Sequence, residues 1–148
     1  MSEILFRGIP KDDTTRHFFA DIWKDNCEGS FVYGSLIISK GRYYICVSAL
    51  CQINSCINNG MTSMIEVLPE TVGQYTGLTD KNGKKIFEGD IVKHRSYYSD
   101  NIVISVVTYT DGQFLAMVGE NSGFNLSDKL EIIGNIHDNP ELLKGGEG

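Results

Sequence analysis

Glu88 and Asp90 stand on either side of Gly89, and two carboxylates at that spacing could converge on a cation or share acid and base work. Acidic residues beside a glycine in a turn also accept hydrogen bonds from backbone N–H groups, and this structural use is the favoured reading. His94 follows Asp90 by four residues. On a strand the two side chains share a face but lie about 13 Å apart, too far for a hydrogen-bonded dyad. His17 and His137 stand at no metal-ligand spacing from His94 or from each other. Cys46, Cys51 and Cys56 recur every five residues, which matches neither a zinc knuckle nor one helical face. With Cys27 they read as free, buried thiols. Gly73, Gly77, Gly83 and Gly89 lack the Lys-Ser or Lys-Thr of a phosphate loop and read as turn residues. Ser35, Ser48 and Ser122 lack the Gly-x-Ser-x-Gly setting of a nucleophile elbow. No catalytic residue, metal ligand or cofactor is assigned, and the chain is expected not to be an enzyme.

The residues better suited to binding are Lys84, Lys85, Lys93 and Arg95 together with Tyr97 and Tyr98. Cations beside aromatic rings can meet a peptide, or can pair with phosphate while the rings stack on bases. Between Asp80 and Tyr98 five Lys or Arg stand against three acids, a local charge of +2, whereas Gly119 to Gly148 has two against six, a local charge of −4. The whole chain carries −6, which opposes indiscriminate nucleic-acid binding, because phosphate contacts depend on cationic side chains. A protein partner is therefore expected first, and nucleic acid, using the region Lys81 to Arg95, second. The polarity of charge along the chain also suits a homo-oligomer.

These side chains need a scaffold, and 148 residues with 41% hydrophobic and 22% charged content are enough to bury a core without disulfides or metal. No apolar run reaches the roughly 18 residues of a membrane span. The opening Met1-Ser2-Glu3 has neither the basic region nor the apolar block of a secretory signal, so a cytoplasmic location is expected.

Ile4 to Phe6 predicts a short strand, and Asp12 to Asp25, with Phe18, Phe19, Ile22 and Trp23 at helical spacing, predicts one short helix or an ordered loop. Ser30 to Val47 predicts a hairpin turning at Lys40-Gly41, followed by a strand containing Ile65 and Val67. Asn82-Gly83 predicts a second hairpin with a type I′ turn, because both residues tolerate positive φ. The turn Glu88-Gly89-Asp90 leads into a strand from Ile91 to His94. Strands at Ile102 to Tyr109 and Phe114 to Val118 flank Asp111-Gly112, and a last strand lies within Lys129 to Asn135. Short strands joined this way predict a mainly β chain: an N-terminal β subdomain over residues 1–72 with at most a short helix, a C-terminal SH3-like barrel over 73–144, and a flexible tail over 145–148.

The stretch from Glu70 to His94 resembles the signature segment of the YopX family of bacteriophage and prophage proteins. The residues that carry the resemblance are Gly73, Gln74, Tyr75, Thr76, Gly77, Leu78, Asp80, Asn82, Gly83 and Ile86, then Glu88, Gly89, Asp90, Ile91 and Val92. Ile133 to Leu143 is similar to the segment that ends such proteins, and Glu3 to Arg7 to their start. The resemblance implies a bacterial host cell and the same barrel in the C-terminal half, with no established activity or catalytic residue. Its signature residues read as structural first. The expected function is a non-enzymatic interaction module that binds a phage or host protein, without membrane or cofactor.

Overall fold

The computed structural model describes residues 4–12, 27–46, 64–96, 99–119 and 122–145, and these divide into two compact units between Gln74 and Tyr75. Both are mainly β. The first contains β1 (Phe6–Gly8), β2 (Cys27–Glu28), β3 (Phe31–Ser39), β4 (Arg42–Cys46), β5 (Met64–Val67), a 3-10 turn at Pro69–Thr71 and the first two residues of β6 (Gly73–Thr79). All its strand pairs are antiparallel, in the order β5-β4-β3-β1-β6, with β2 beside β3. The Lys40-Gly41 hairpin forms as expected: both residues have positive φ, 53° and 78°, so a two-residue loop follows the natural twist of its strands. Val32, Ile45, Ile65 and Val67 form the core of this unit, with Phe6, Leu36, Tyr43 and Val72 against it. Buried Arg7 lies 4.1 Å over the Phe31 ring.

The second unit takes the rest of β6, then β7 (Lys85–Phe87), β8 (Asp90–Arg95), β9 (Ile102–Thr110), β10 (Gln113–Val118), β11 (Ser122–Asn125), β12 (Glu131–Asn135) and a short helix α1 (Glu141–Gly145). Five strands make one antiparallel sheet in the order β11-β10-β9-β8-β12. Asp111 and Gly112 both have positive φ, and they join β9 to β10 as expected. One sheet face presents Val92, Val107 and Ala116 to a core completed by Ile86 and Leu130, with Phe124, Leu126 and Ile132 around it.

Several expectations need correction. Gly73 and Gly77, read from the sequence as turn residues, lie within a strand. Its bulge against β7 puts extra residues between the pairs Tyr75↔Phe87 and Thr79↔Lys85, and Gly77 at φ 90° sits in that bulge. Asn82-Gly83 does close the β6–β7 hairpin, but not as a type I′ turn, because only Gly83 has positive φ. The Asp80 carboxylate captures the N–H groups of Asn82 and Lys84, and the Gly83 N–H donates to the Asp80 carbonyl at 3.0 Å. That places Lys81 and Asn82 at the centre of the turn and moves the left-handed residue to Gly83. Cys46 is disulfide-bonded rather than a free thiol, because a sequence spacing does not state which sulfurs fold into bonding reach; Cys27 is free. The helix α1 runs on to Gly145, where a flexible tail was expected to begin. The helix or loop expected over Asp12 to Asp25 lies almost wholly outside the described residues, as do Cys51, Cys56 and 146–148.

Gly83→Val is expected to destabilise the second unit by about 1–2 kcal/mol, since a β-branched residue resists φ of 81°. A Cβ there meets nothing within 4 Å, so the cost is conformational and Gly83→Ala should fall between the two. Denaturant melts read the difference; equal midpoints for glycine and valine would refute the turn assignment.

Candidate functional site

The family-like signature engages its polar groups in holding backbone. Asp80 is 4% exposed, and its Oδ1 accepts from the N–H groups of Asn82 and Lys84, both at 2.9 Å. Its Oδ2 accepts from the Ile132 N–H at 3.1 Å, tying the hairpin to β12. Burial pushes this carboxyl up, but the N–H groups of Ile132, Lys84 and Asn82 and the charge of Lys84 outweigh it and hold the pKa below its ordinary value. The Thr76 hydroxyl donates to the Ile86 carbonyl at 2.8 Å, replacing a ladder bond that the bulge removes. Asp90 is buried, and its Oδ2 accepts from the Phe87 N–H at 2.8 Å. Gly89, at φ 93°, donates to the Val107 carbonyl and accepts from the Ile136 N–H. Gln74 pairs with Phe6 in the first unit, Leu78 is exposed on β6, and Glu88 is half-buried in the turn.

The basic residues are not gathered into one patch by any contact among them. Lys81 and Lys93 both reach Glu131, at 2.8 and 3.8 Å. The Lys81 hydrogen bond is the main reason that the Glu131 carboxyl lies below its ordinary value, with the charges of Lys81 and Lys93 adding to it and desolvation and Asp80 opposing. Lys85 lies 5.5 Å from the centre of the Tyr75 ring, which itself packs on Phe87 at 5.6 Å. Lys84 is exposed beside Asp80. Arg95 is exposed at the end of β8 and forms no ion pair among the described residues. Tyr97 and Tyr98 lie outside the described residues. His94 sets its ring edge-on against Phe124, with centroids 4.8 Å apart, and the Asp90 carboxylate is engaged by the Phe87 N–H. Among the described residues no three His, Cys, Asp or Glu side chains cluster to hold a metal. None of the described helices is long and apolar enough to cross a membrane.

The described residues also form a groove. The sheet face opposite the core carries Ile102, Ile104, Val106 and Thr108 along β9, and with Met117 and Val118 of β10 and Leu143 of α1 they line a groove of about 620 Å³. Ile102 is 57% exposed and Leu143 37%. Residues paired across antiparallel strands point to the same face, so Lys93, opposite Ile104, and Arg95, opposite Ile102, stand along one side of this strip. Sequence reasoning placed the strand but missed the groove. The available signal was that β9 alternates apolar residues on both faces: Val103 and Val107 on one, Ile102, Ile104 and Val106 on the other. A strand with two apolar faces needs two covers.

No curated protein matches this chain. Among solved structures it is similar to the crystal structure of protein EF1440 from Enterococcus faecalis, at 25% identity and a TM-score of 0.43, over 97% of this chain and 99% of that one. The description "YopX protein" matches residues 22–144, which include the whole signature and nearly all of the segment from Ile133 to Leu143. The chain belongs to the YopX family.

Proposed function

We propose that this chain is a non-enzymatic protein-interaction module, built on an SH3-like barrel in its second unit, whose groove over β9 receives a segment of a phage or host protein. The observation that carries this reading is the apolar strip of exposed Ile102 and half-buried Ile104 and Val106, walled by Met117 and Leu143. An apolar concavity with charge on its rim is the usual form of a peptide or protein site. The strand order supports the barrel: the last strand, β12, pairs beside the first, β8, and the others follow in sequence through β9, β10 and β11, as in SH3-like barrels. The engagement of the Asp80 and Asp90 carboxylates by backbone N–H groups argues against their use as paired acids.

A photo-crosslinking side chain at Ile104, introduced in bacterial cells that carry the protein's natural partners, is expected to trap a discrete protein adduct. The same group at exposed Lys40, in the first unit, is expected not to. Adducts at both positions, at neither, or only to nucleic acid would overturn the reading. The nucleic-acid alternative rests on Lys84, Lys85, Lys93 and Arg95, of which Lys93 is drawn to Glu131 and Lys85 to Tyr75. Neither single- nor double-stranded nucleic acid is expected to bind appreciably near physiological salt. Submicromolar binding that weakens steeply with salt and is lost when these four residues are neutralised would favour that alternative instead.

A further inference from the structure

We propose that Asn82 is a site of spontaneous deamidation in the β6–β7 hairpin of the signature, and that Asp80 is the residue that holds the reaction back. This chemistry needs neither the groove nor a partner. An Asn-Gly pair can react with itself because glycine has no side chain to keep its nitrogen away from the asparagine amide. Once its proton has gone to hydroxide, the Gly83 nitrogen attacks the side-chain carbonyl carbon of Asn82. A bond forms between that carbon and the backbone nitrogen, the bond to the side-chain nitrogen breaks, and this nitrogen leaves as ammonia with a proton taken from water. Water then opens the succinimide at either carbonyl, giving aspartate or isoaspartate at position 82.

Both reacting residues are exposed, and the Asn82 side-chain amide makes no hydrogen bond among the described residues. A Cβ on Gly83 would meet nothing within 4 Å, so no neighbour crowds the approach. What opposes the reaction is Asp80. Three successive N–H groups point at this one residue: Asn82 and Lys84 donate to its carboxylate, both at 2.9 Å, and Gly83, the attacking nitrogen, donates to its carbonyl at 3.0 Å. A hydrogen-bonded N–H gives up its proton only when the bond opens. The same bonds fix the peptide planes on both sides of Asn82, and the buried carboxylate beside them opposes the negative charge that the nitrogen must acquire. Ile132 donates to the other carboxylate oxygen at 3.1 Å, so β12 holds the clamp shut from outside the hairpin. The product undoes this clamp. Isoaspartate puts an extra carbon into the main chain between the N–H groups of residues 82 and 84, which then cannot both meet one oxygen. The aspartate product sets a second negative charge two residues from Asp80. A hairpin that opens long enough to react therefore does not close again as it was.

The test incubates the full chain, folded, in mildly alkaline buffer and follows the peptide containing Asn82 by chromatography and mass spectrometry. The same chain in urea gives the unclamped rate, which Asn59-Gly60, a second Asn-Gly pair in the sequence, should match there. Asn82 should react more slowly in the folded chain than in urea by about tenfold or more, because reaction requires opening hydrogen bonds to an ionised group. Asp80→Ala, shown by melting to be folded, should recover about tenfold of that rate. Asp80→Asn, which keeps an acceptor but loses the charge, should lie between the two and decides the matter if the alanine variant does not fold. Hydrogen exchange at the Gly83 N–H should rise in the same variants while the N–H groups of β9 stay protected, which separates opening of the hairpin from unfolding of the unit. The purified deamidated chain should melt below its starting material. Equal rates at Asn82 in the folded chain and in urea, or folded Asp80 variants as slow as wild type, overturn the proposal. A deamidated chain that melts like its starting material overturns the one-way change.

Discussion

Gly34→Ala is expected to unfold or severely weaken the first unit, at a cost of about 4 kcal/mol or more. Gly34 lies within β3, where it pairs with Phe6 of β1. A Cβ placed on it would run into the carbonyl oxygen of Cys46, with the carbonyl carbon at 2.8 Å and the Ile45 Cγ2 at 3.2 Å. The obstruction is backbone of the adjacent strand, so no side-chain rotation relieves it and β3 and β4 must part. They hold the centre of the sheet, and Ile45 and Cys46 are fully buried. Costs this large belong to a few mechanisms, and overpacking against fixed backbone is one. Gly41→Ala is the control: its Cβ meets nothing within 4 Å, so only the φ of 78° opposes it, at about 1 kcal/mol. Denaturant melts of the two variants should differ plainly. Equal midpoints would mean that the strands separate far more easily than this packing implies.

Asp80→Ala should destabilise the second unit by about 3 kcal/mol. The substitution leaves the N–H groups of Asn82, Lys84 and Ile132 without their acceptor, and hydrogen bonds to an ionised group are among the stronger ones. Two of those donors can turn to water at the exposed hairpin, whereas the Ile132 bond reaches across 52 positions of sequence and joins β12 to the turn. Because the folded state holds the Asp80 pKa below the ordinary carboxyl value, its contribution is fully present above about pH 4 and fades as pH falls through the lower folded value. Wild-type protein should therefore lose more stability on acidification below pH 4 than Asp80→Asn, which has no charge to lose. Matching acid profiles for the two proteins, or an Asp80→Ala midpoint like that of wild type, would remove Asp80 from its role as a clamp.

The hairpins at Lys40-Gly41 and Asp111-Gly112 were legible because a two-residue turn depends on residues inside it: both need positive φ, and glycine supplies it cheaply. The β character of β3, β4, β8, β9 and β10 was legible for a similar reason, since branched and aromatic side chains pack well on a pleated surface whatever lies opposite. The family was legible from the signature itself. The short strands β2 and β11 were not, because two to four residues carry too little pattern of their own and are extended only through the partners they pair with. Asn82-Gly83 marks the limit of local reasoning. The dipeptide predicts a type I′ turn, yet Asp80, two residues earlier, overrides it by binding Asn82 and Lys84, and Ile132 then locks that arrangement from a distance.

By itself, the sequence determined what each short stretch can do: which segments extend, where glycine turns the chain, which family it joins, and that no familiar catalytic spacing is present. Tertiary structure alone decided where the polar and apolar groups end up. It took the Asp80 and Asp90 carboxylates for backbone N–H groups, drew Lys93 toward Glu131, and aligned one face of β9 with Met117 and Leu143. The physical reason is that each of these outcomes depends on strand pairing between residues far apart in sequence. Alternation along a strand assigns side chains to two faces, but only the neighbours brought by the fold determine which face is buried and which is left open to a partner.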